Sequence, residues 1–293
     1  MKSLNDLLLS GNKLVSSIPA DIGQLTSLRS IDLAANRLTG KIPDLSTCTN
    51  LLALRLDSNY FTGAIPSYMA AMKDLMDLRL NQNYLSGTIP VWIANLTHLE
   101  YLDLSANAFN GQIPDVWGSL PRLSEINLEQ NFLEGPLPES VSLLRLLKTL
   151  SVHSNRLNGT LPSAYGALND VQNFFVYENS LMGSIPTELW KMQDLKDLRV
   201  SGNKLTGSIP SELGSNYHLQ RLDLQDNLLQ GSIPSALGLL EALTECRLEG
   251  NRLNGTVPSQ LCARKTSALT FLSTDCGVEG GTVDCSCCNE CFP

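Results

Sequence analysis

The chain has 293 residues, a net charge of −8, 17% charged residues and only 6% aromatics. With 21 Lys and Arg against 29 Asp and Glu, it lacks the basic footprint that nucleic-acid binding needs. An apolar content of 43% is enough for a core and excludes a disordered chain, and no apolar run reaches the roughly 18 residues that would span a bilayer.

Leucine fills 55 positions, and 21 glycines and 14 prolines punctuate them. The arrangement is periodic. Asn12, Asn36, Asn59, Asn83, Asn107, Asn131, Asn155, Asn179, Asn203, Asn227 and Asn251 recur every 24 residues, with one gap of 23. Around each runs the frame L-x-x-L-x-L-x-x-N-x-L-x-G-x-I-P, as at Leu99, Leu102, Leu104, Asn107, Phe109, Gly111, Ile113 and Pro114. Eleven of the 14 prolines fall on one frame position.

From the amino end, Leu4 already belongs to the first repeat, and no charged segment followed by an apolar one precedes it. The expectation is a fragment whose amino-terminal cap is missing, with residues 1–27 as its least stable coil. In every repeat the x-L-x-L-x segment alternates, which predicts a strand with one buried face. The Asn turns the chain and satisfies backbone groups inside the bend. Gly permits a tight backbone, and Pro is expected to stop any ladder on the return path. One coil cannot bury its own leucines, so coils must stack, with their strands side by side in a parallel sheet.

Sheet stacking makes equivalent residues lateral neighbours. The column between the two strand leucines contains Asp32, Arg55, Arg79, Asp103, Asn127, Phe175, Arg199, Asp223 and Arg247. Its charges are expected to answer one another as lateral ion pairs, Asp32 with Arg55 and Arg79 with Asp103 among them. A flat array of one small polar residue, as ice binding requires, is absent from this irregular, charged column. Near the centre, Phe175 and Tyr177 come from one coil, with His153 beside Tyr177 and Arg199 beside Phe175. Exposed aromatics beside Arg and His have the composition of binding hot spots. The alternative is that Phe175 packs flat or stacks on Arg199. Tyr101, Asn127 and Glu129, on the same outward columns, complete the candidate ligand-binding set. Asn95, Asn158 and Asn254 fit the N-glycosylation pattern, although the last two arise from the frame itself.

After Pro258 the period fails and cysteine density rises. Cys262, Cys276, Cys285, Cys287, Cys288 and Cys291 suggest three disulfides formed in an oxidising compartment, with 15 pairings open. A zinc site is the rival reading of such close thiols. Cys246 takes a core leucine position and is expected to be a buried free thiol, and Cys48 to form no bridge.

The frame resembles the plant-specific class of leucine-rich repeat, marked by its L-x-G-x-I-P continuation, over residues 4–258. The cysteine-rich tail resembles the carboxy-terminal end of leucine-rich repeat proteins from diatoms. The fold implied is an α/β solenoid of about eleven 24-residue coils, with a parallel concave β-sheet and an irregular or 3-10 convex side. Residues 1–258 form the solenoid, and 259–293 form a disulfide-rich cap.

The resemblance implies an extracellular, receptor-like recognition module that binds a protein, peptide or glycan through the concave face. The family also includes polygalacturonase-inhibiting proteins, so a secreted inhibitor of a cell-wall-degrading enzyme and a cell-surface adhesion or scaffold protein stay open. Catalytic constellations are absent: there is no nucleophile elbow, phosphate loop or H-E-x-x-H, and His98, His153 and His218 are scattered. The expectation is therefore no enzyme, no cofactor, no metal and no nucleic-acid partner. Localisation is expected at the cell surface or outside the cell, with any membrane anchor upstream of this chain.

Overall fold

The computed structural model describes residues 3–265, 268–276 and 283–292. The chain forms two compact units, residues 1–147 and 148–293.

In the first unit, Asp6–Leu8, Ser30–Asp32, Ala53–Arg55, Asp77–Arg79, Tyr101–Asp103 and Glu125–Asn127 pair in parallel, one strand per coil. Each is centred on the frame's second leucine position. The register is in phase, so Leu54, Leu78 and Leu102 stack as neighbours and are fully buried. In the second unit, Thr149–Ser151, Asn173–Phe175, Asp197–Arg199, Arg221–Asp223, Glu245–Arg247, Phe271–Thr274 and Glu290–Cys291 repeat the pattern.

On the return side the frame proline is the N-cap of a short 3-10 turn, as in Ser67–Ala71, Val91–Asn95 and Thr187–Lys191. Proline's fixed φ suits the extended residue that enters each turn. Each of these turns carries one frame hydrophobic inward: Met69, Ile93 and Leu189 are buried. Ser259–Arg264 is the α-helix found among the described residues.

Between sheet and turn lies a second parallel ladder, which the sequence reading excluded. In the first unit it joins Val15–Ser16, Arg37–Gly40, Tyr60–Gly63, Tyr84–Thr88, Ala108–Gln112 and Phe132–Gly135. In the second unit Met182–Ser184 pairs with Lys204–Thr206, and Gln230–Ser232 pairs with Arg252–Thr256. Proline does not stop it, because the ladder has ended before the proline arrives. The ladder begins beyond a sharp bend: the residue before the frame Asn holds a left-handed backbone, with φ of +50° to +55° at Ala35, Ser58, Gln82, Ala106 and Gln130.

The asparagines hold that bend. The Asn131 amide donates to the carbonyls of Leu128 and Glu129 in its own coil, at 3.1 and 3.2 Å, and of Leu104 in the preceding coil, at 3.1 Å. Its carbonyl accepts the Phe109 N–H at 2.9 Å. The same four bonds recur at Asn36, Asn59, Asn83, Asn107, Asn179, Asn203, Asn227 and Asn251 (for Asn203 through Val176, Val200, Ser201 and Leu181). Asn155 makes the two bonds within its own coil, to Val152 and His153. Each of the nine side chains with all four bonds thus fixes both its own turn and its stacking, so groups turned away from water are satisfied.

At the carboxy end the six cysteines form Cys262–Cys287, Cys276–Cys291 and Cys285–Cys288. The sulfurs of Cys276, Cys285 and Cys288 converge within 4.8 Å, but each is bonded to another sulfur and offers no thiolate to a metal. Cys246 is a buried free thiol, as is Cys48, whose side chain turns inward from the return segment.

Candidate functional site

The outer face of each principal sheet is where side chains without a core role collect. In the first unit the expected pairing is present, though long, for Asp32 with Arg55 and fails for Arg79 with Asp103. Arg79 turns from Asp103 and bonds Asp77 at 2.9 Å, while Arg55 bonds Asp77 at 2.7 Å and reaches Asp32 only at 3.9 Å. Asp77-Leu78-Arg79 has two-residue spacing on one strand, which puts acid and base on the same face. Asp103 instead accepts from the Ser105 N–H at 3.0 Å and hydroxyl at 2.7 Å, and its burial raises its pKa.

Of the sequence-derived candidates in this unit, Tyr101 lies under the Arg79 guanidinium, 4.1 Å from ring centroid to Cζ. Its hydroxyl is 3.4 Å from the Asn127 amide, and burial raises its pKa. Asn127 and Glu129 are half-buried two residues apart on one strand line. The Arg79–Tyr101 pair makes this region a packed polar surface.

The second unit repeats the acid–base solution. Arg199 grips Asp197 with two bonds, at 3.0 and 2.7 Å, and Arg247 bonds Glu245 at 2.6 Å. Asp223, expected between Arg199 and Arg247, accepts from the Ser201 hydroxyl at 3.1 Å. Arg199 also lies 4.9 Å from the Phe175 ring, so the stacked alternative for Phe175 is the one observed. Phe175 nonetheless keeps part of its surface in solvent.

His153 and Tyr177 stack with ring centroids 4.0 Å apart and planes 10° from parallel. The Tyr177 hydroxyl is 3.1 Å from His153 Nε2. With the planes parallel that approach is over the ring face, so stacking rather than an in-plane hydrogen bond joins the pair. His153 Nδ1 lies 3.0 Å from the Ser154 hydroxyl, which donates to Glu178 at 2.6 Å. Burial lowers the His153 pKa to about 4, against the upward pull of Glu178. The imidazole is neutral at pH 7, so this side of the face is aromatic and uncharged beside the clamped Arg199.

Asp77, Asp197 and Glu245 lie on the outward column before the strand leucine, but the sequence reading paired the arginines only across the middle column and missed these acids as their partners. The signal was present as acid-x-Arg spacing. The sequence reading also passed over Tyr60, Tyr84 and Phe132, which sit one residue past the frame Asn on the lateral ladder. Asn95, Asn158 and Asn254 are exposed, open to a glycan. No helix among the described residues is long and apolar enough to cross a membrane.

Models of the leucine-rich repeat match residues 49–109 and 75–133, and again 3–25, 27–48, 194–216 and 218–240. A 62-residue stretch is 37% identical to a probable leucine-rich repeat receptor-like serine/threonine-protein kinase of Arabidopsis thaliana, covering 21% of this chain and 7% of that protein. Among solved structures, the Arabidopsis receptor kinase HAESA, in complex with the peptide hormone IDA and the co-receptor SERK1, is 32% identical with a TM-score of 0.88, over 92% of this chain and 45% of that one. The plant peptide hormone receptor RGFR1, in complex with RGF2, is 32% identical with a TM-score of 0.86, over 94% of this chain and 47% of that one. A plant ice-binding protein is 27% identical with a TM-score of 0.69, over 96% of this chain and 83% of that one. The chain spans less than half the length of the two receptor chains and less than a tenth of the curated kinase.

Proposed function

Since the chain belongs to the leucine-rich repeat family, with a plant-type frame and a receptor-like fold, we propose that it is an extracellular recognition module that binds a peptide or protein segment on the outer face of its principal sheet. The supporting observation is the group Phe175, Tyr177, His153 and Arg199. Phe174 already fills the core position of that coil, fully buried, so the fold needs no second aromatic beside it. The group offers apolar rings, a neutral imidazole and a guanidinium with its carboxylate partner. These are the ingredients of an anchor pocket for a side chain or a backbone turn. In the first unit, Tyr101, Asn127 and Glu129 are candidate polar contacts in their own right. We assign the face no chemistry of its own, because its one imidazole is stacked against a phenol rather than aimed at a nucleophile. The disulfide-bonded end supports an oxidising, extracellular setting.

The test is selection of peptides from a displayed library on the immobilised chain, with a counter-screen on the Phe175→Ala/Tyr177→Ala double variant. Selected peptides should lose about tenfold or more in affinity for the variant. Peptides that bind the variant equally remove the assigned site, and a selection that enriches none removes the peptide reading.

A second reading rests on one specific observation. In the second unit the residue after the frame glycine is Thr160, Ser184, Ser208, Ser232 and Thr256, an exposed hydroxyl in five successive coils. This lateral row has the regularity that the middle column lacks, and a plant ice-binding protein shares the fold. Ice-affinity partitioning of the chain against a Ser208→Lys variant decides it. Equal exclusion of both from ice rejects the reading.

A further inference from the structure

The lateral ladder of the first unit carries a row of exposed aromatics that neither the repeat nor the principal face explains. The residue after the frame Asn is Tyr60, Tyr84, Ala108 and Phe132 in four successive coils. In the second unit the same position holds Arg156, Ser180, Lys204, Leu228 and Arg252, so the coil does not require an aromatic there. Tyr60, Tyr84 and Phe132 are 45%, 61% and 47% exposed, whereas Phe61 and Phe109 on the same ladder are fully buried. Burial therefore does not account for them, since a ring left in water contributes little to folding.

Three features define what this row fits. First, the rings of Tyr60 and Tyr84 lie 16° from parallel with centroids 6.0 Å apart. Beside this offset contact both rings keep much of their surface in solvent. Second, ladder register sets a polar side chain from the preceding coil beside each ring. Thr39 pairs with Tyr60, Thr62 with Tyr84 and Asn110 with Phe132, while Ser86 pairs with the small Ala108 between them. The Ser86 hydroxyl and the Asn110 amide make no hydrogen bond to another described residue, and both are solvent-accessible. Third, the strands Tyr60–Gly63, Tyr84–Thr88 and Ala108–Gln112 carry no charged residue. Charge stands at one edge, with Arg37 and with Lys41, whose stem runs beside Gly63, and at the other with Glu134.

We propose that this lateral face binds a neutral polysaccharide of β-1,4-linked pyranose units, laid across the strands. Such a chain is flat, repeats one ring at a time and presents apolar C–H faces to aromatic rings while its hydroxyls point to the edges. It matches a surface in which stacking rings and hydrogen-bonding groups alternate from coil to coil at the roughly 4.8 Å spacing of neighbouring strands. A polyanion is disfavoured, because stacking platforms for nucleic acids come with a cationic groove, whereas Arg37 and Lys41 stand at one edge of this patch and no cation lies on the strands that carry Tyr60, Tyr84 and Ala108. A peptide strand is disfavoured too, because the ladder's backbone groups are already paired within the sheet. The proposal concerns a different face from the peptide-binding reading and does not depend on it.

The test uses the full chain with its disulfides intact. The probes are hydroxyethyl cellulose in native affinity gels and cellohexaose in titration calorimetry. The expected result is retardation in the polymer gel and saturable hexaose binding. The Tyr60→Ala/Tyr84→Ala variant should weaken both by about tenfold or more, with its melting temperature unchanged because both rings are exposed. Tyr84→Phe, which keeps the ring, should stay within about threefold of the wild type. Phe175→Ala/Tyr177→Ala should leave glucan affinity unaltered even if it abolishes peptide binding. An unretarded wild type overturns the proposal, as does a Tyr60→Ala/Tyr84→Ala variant retarded to the same degree. Equal loss in the Phe175/Tyr177 variant also overturns it, by moving the glycan to the principal sheet.

Discussion

The first coil and the last complete coil are written in the same frame, yet they live in different environments. In the first, Leu9 and Leu14 are 40% and 37% exposed, and with Leu7 they line an apolar cavity of about 770 Å³ that Leu33 and Leu38 back from the next coil. In the last, the equivalent Leu248 and Leu253 are fully buried. The difference lies in what sits next door. The last coil is covered by the helix Ser259–Arg264, the strand Phe271–Thr274 and the segment tied down by disulfides. Leucine in this frame is thus no more than a capacity for burial. A neighbouring coil or cap turns it into stability, which is the quasi-one-dimensional behaviour of a stacked array.

Matched substitutions test this contrast most directly. Leu248→Ala should cost about 2–5 kcal/mol, as in other fully buried sites, while Leu9→Ala at the same frame position should cost below about 1 kcal/mol. Denaturant unfolding of both variants reads the difference, and equal costs would break the comparison. Next comes the covering segment itself. Replacing Cys262 and Cys287 by Ser should destabilise the end of the second unit by about 2–4 kcal/mol. Amide exchange should speed up over residues 245–276 and stay unaltered over residues 30–103. In the untouched protein, the amides of residues 6–16 should exchange fastest among the strands.

The asparagines give a finer version of the same test. Among the described residues Asn12 bonds its own coil, through Leu9 and Ser10, whereas Asn131 also bonds two groups of the coil before it. Asn131→Ala strands several buried groups and should cost about 2–3 kcal/mol, against about 0.5 kcal/mol for Asn12→Ala. Thermal melts of the pair would sharpen the ranking.

A pH-dependent effect belongs to His153, away from either end. Its pKa is about 4 in the folded chain against an ordinary 6.5. Between these values the unfolded state holds the extra proton, so this contribution to stability is complete above pH 6.5 and is lost as pH falls towards 4. His153→Phe, which keeps a stacking ring, should flatten the stability–pH slope in that window and leave it unaltered at pH 8. Parallel slopes for the variant and wild type would show that the imidazole is already solvated.

The architecture was legible because a period of 24 leaves few alternatives. The strand at Leu102, the buried faces and the turn at Asn107 all follow from alternation and from what one coil cannot bury. The candidate site was less legible. Phe175 could be placed beside Arg199 by register, but Arg79 could not be placed on Asp77 rather than Asp103. The column reading considered only neighbours across the sheet, while a long guanidinium stem also reaches along its own strand. The lateral ladder escaped for a related reason. Proline was taken as a barrier, although the pairing at Tyr84–Thr88 is complete before Pro90.

The sequence by itself determined the repeat, the parallel stacking and the identity of the residues turned inward, since periodicity and burial are properties of spacing. Tertiary structure alone decided which cysteine met which among 15 pairings, which carboxylate held each arginine and which exposed rings stood together. Those outcomes depend on distances of a few ångströms between side chains from different coils. A linear order fixes the neighbours available to each side chain, and only packing selects among them.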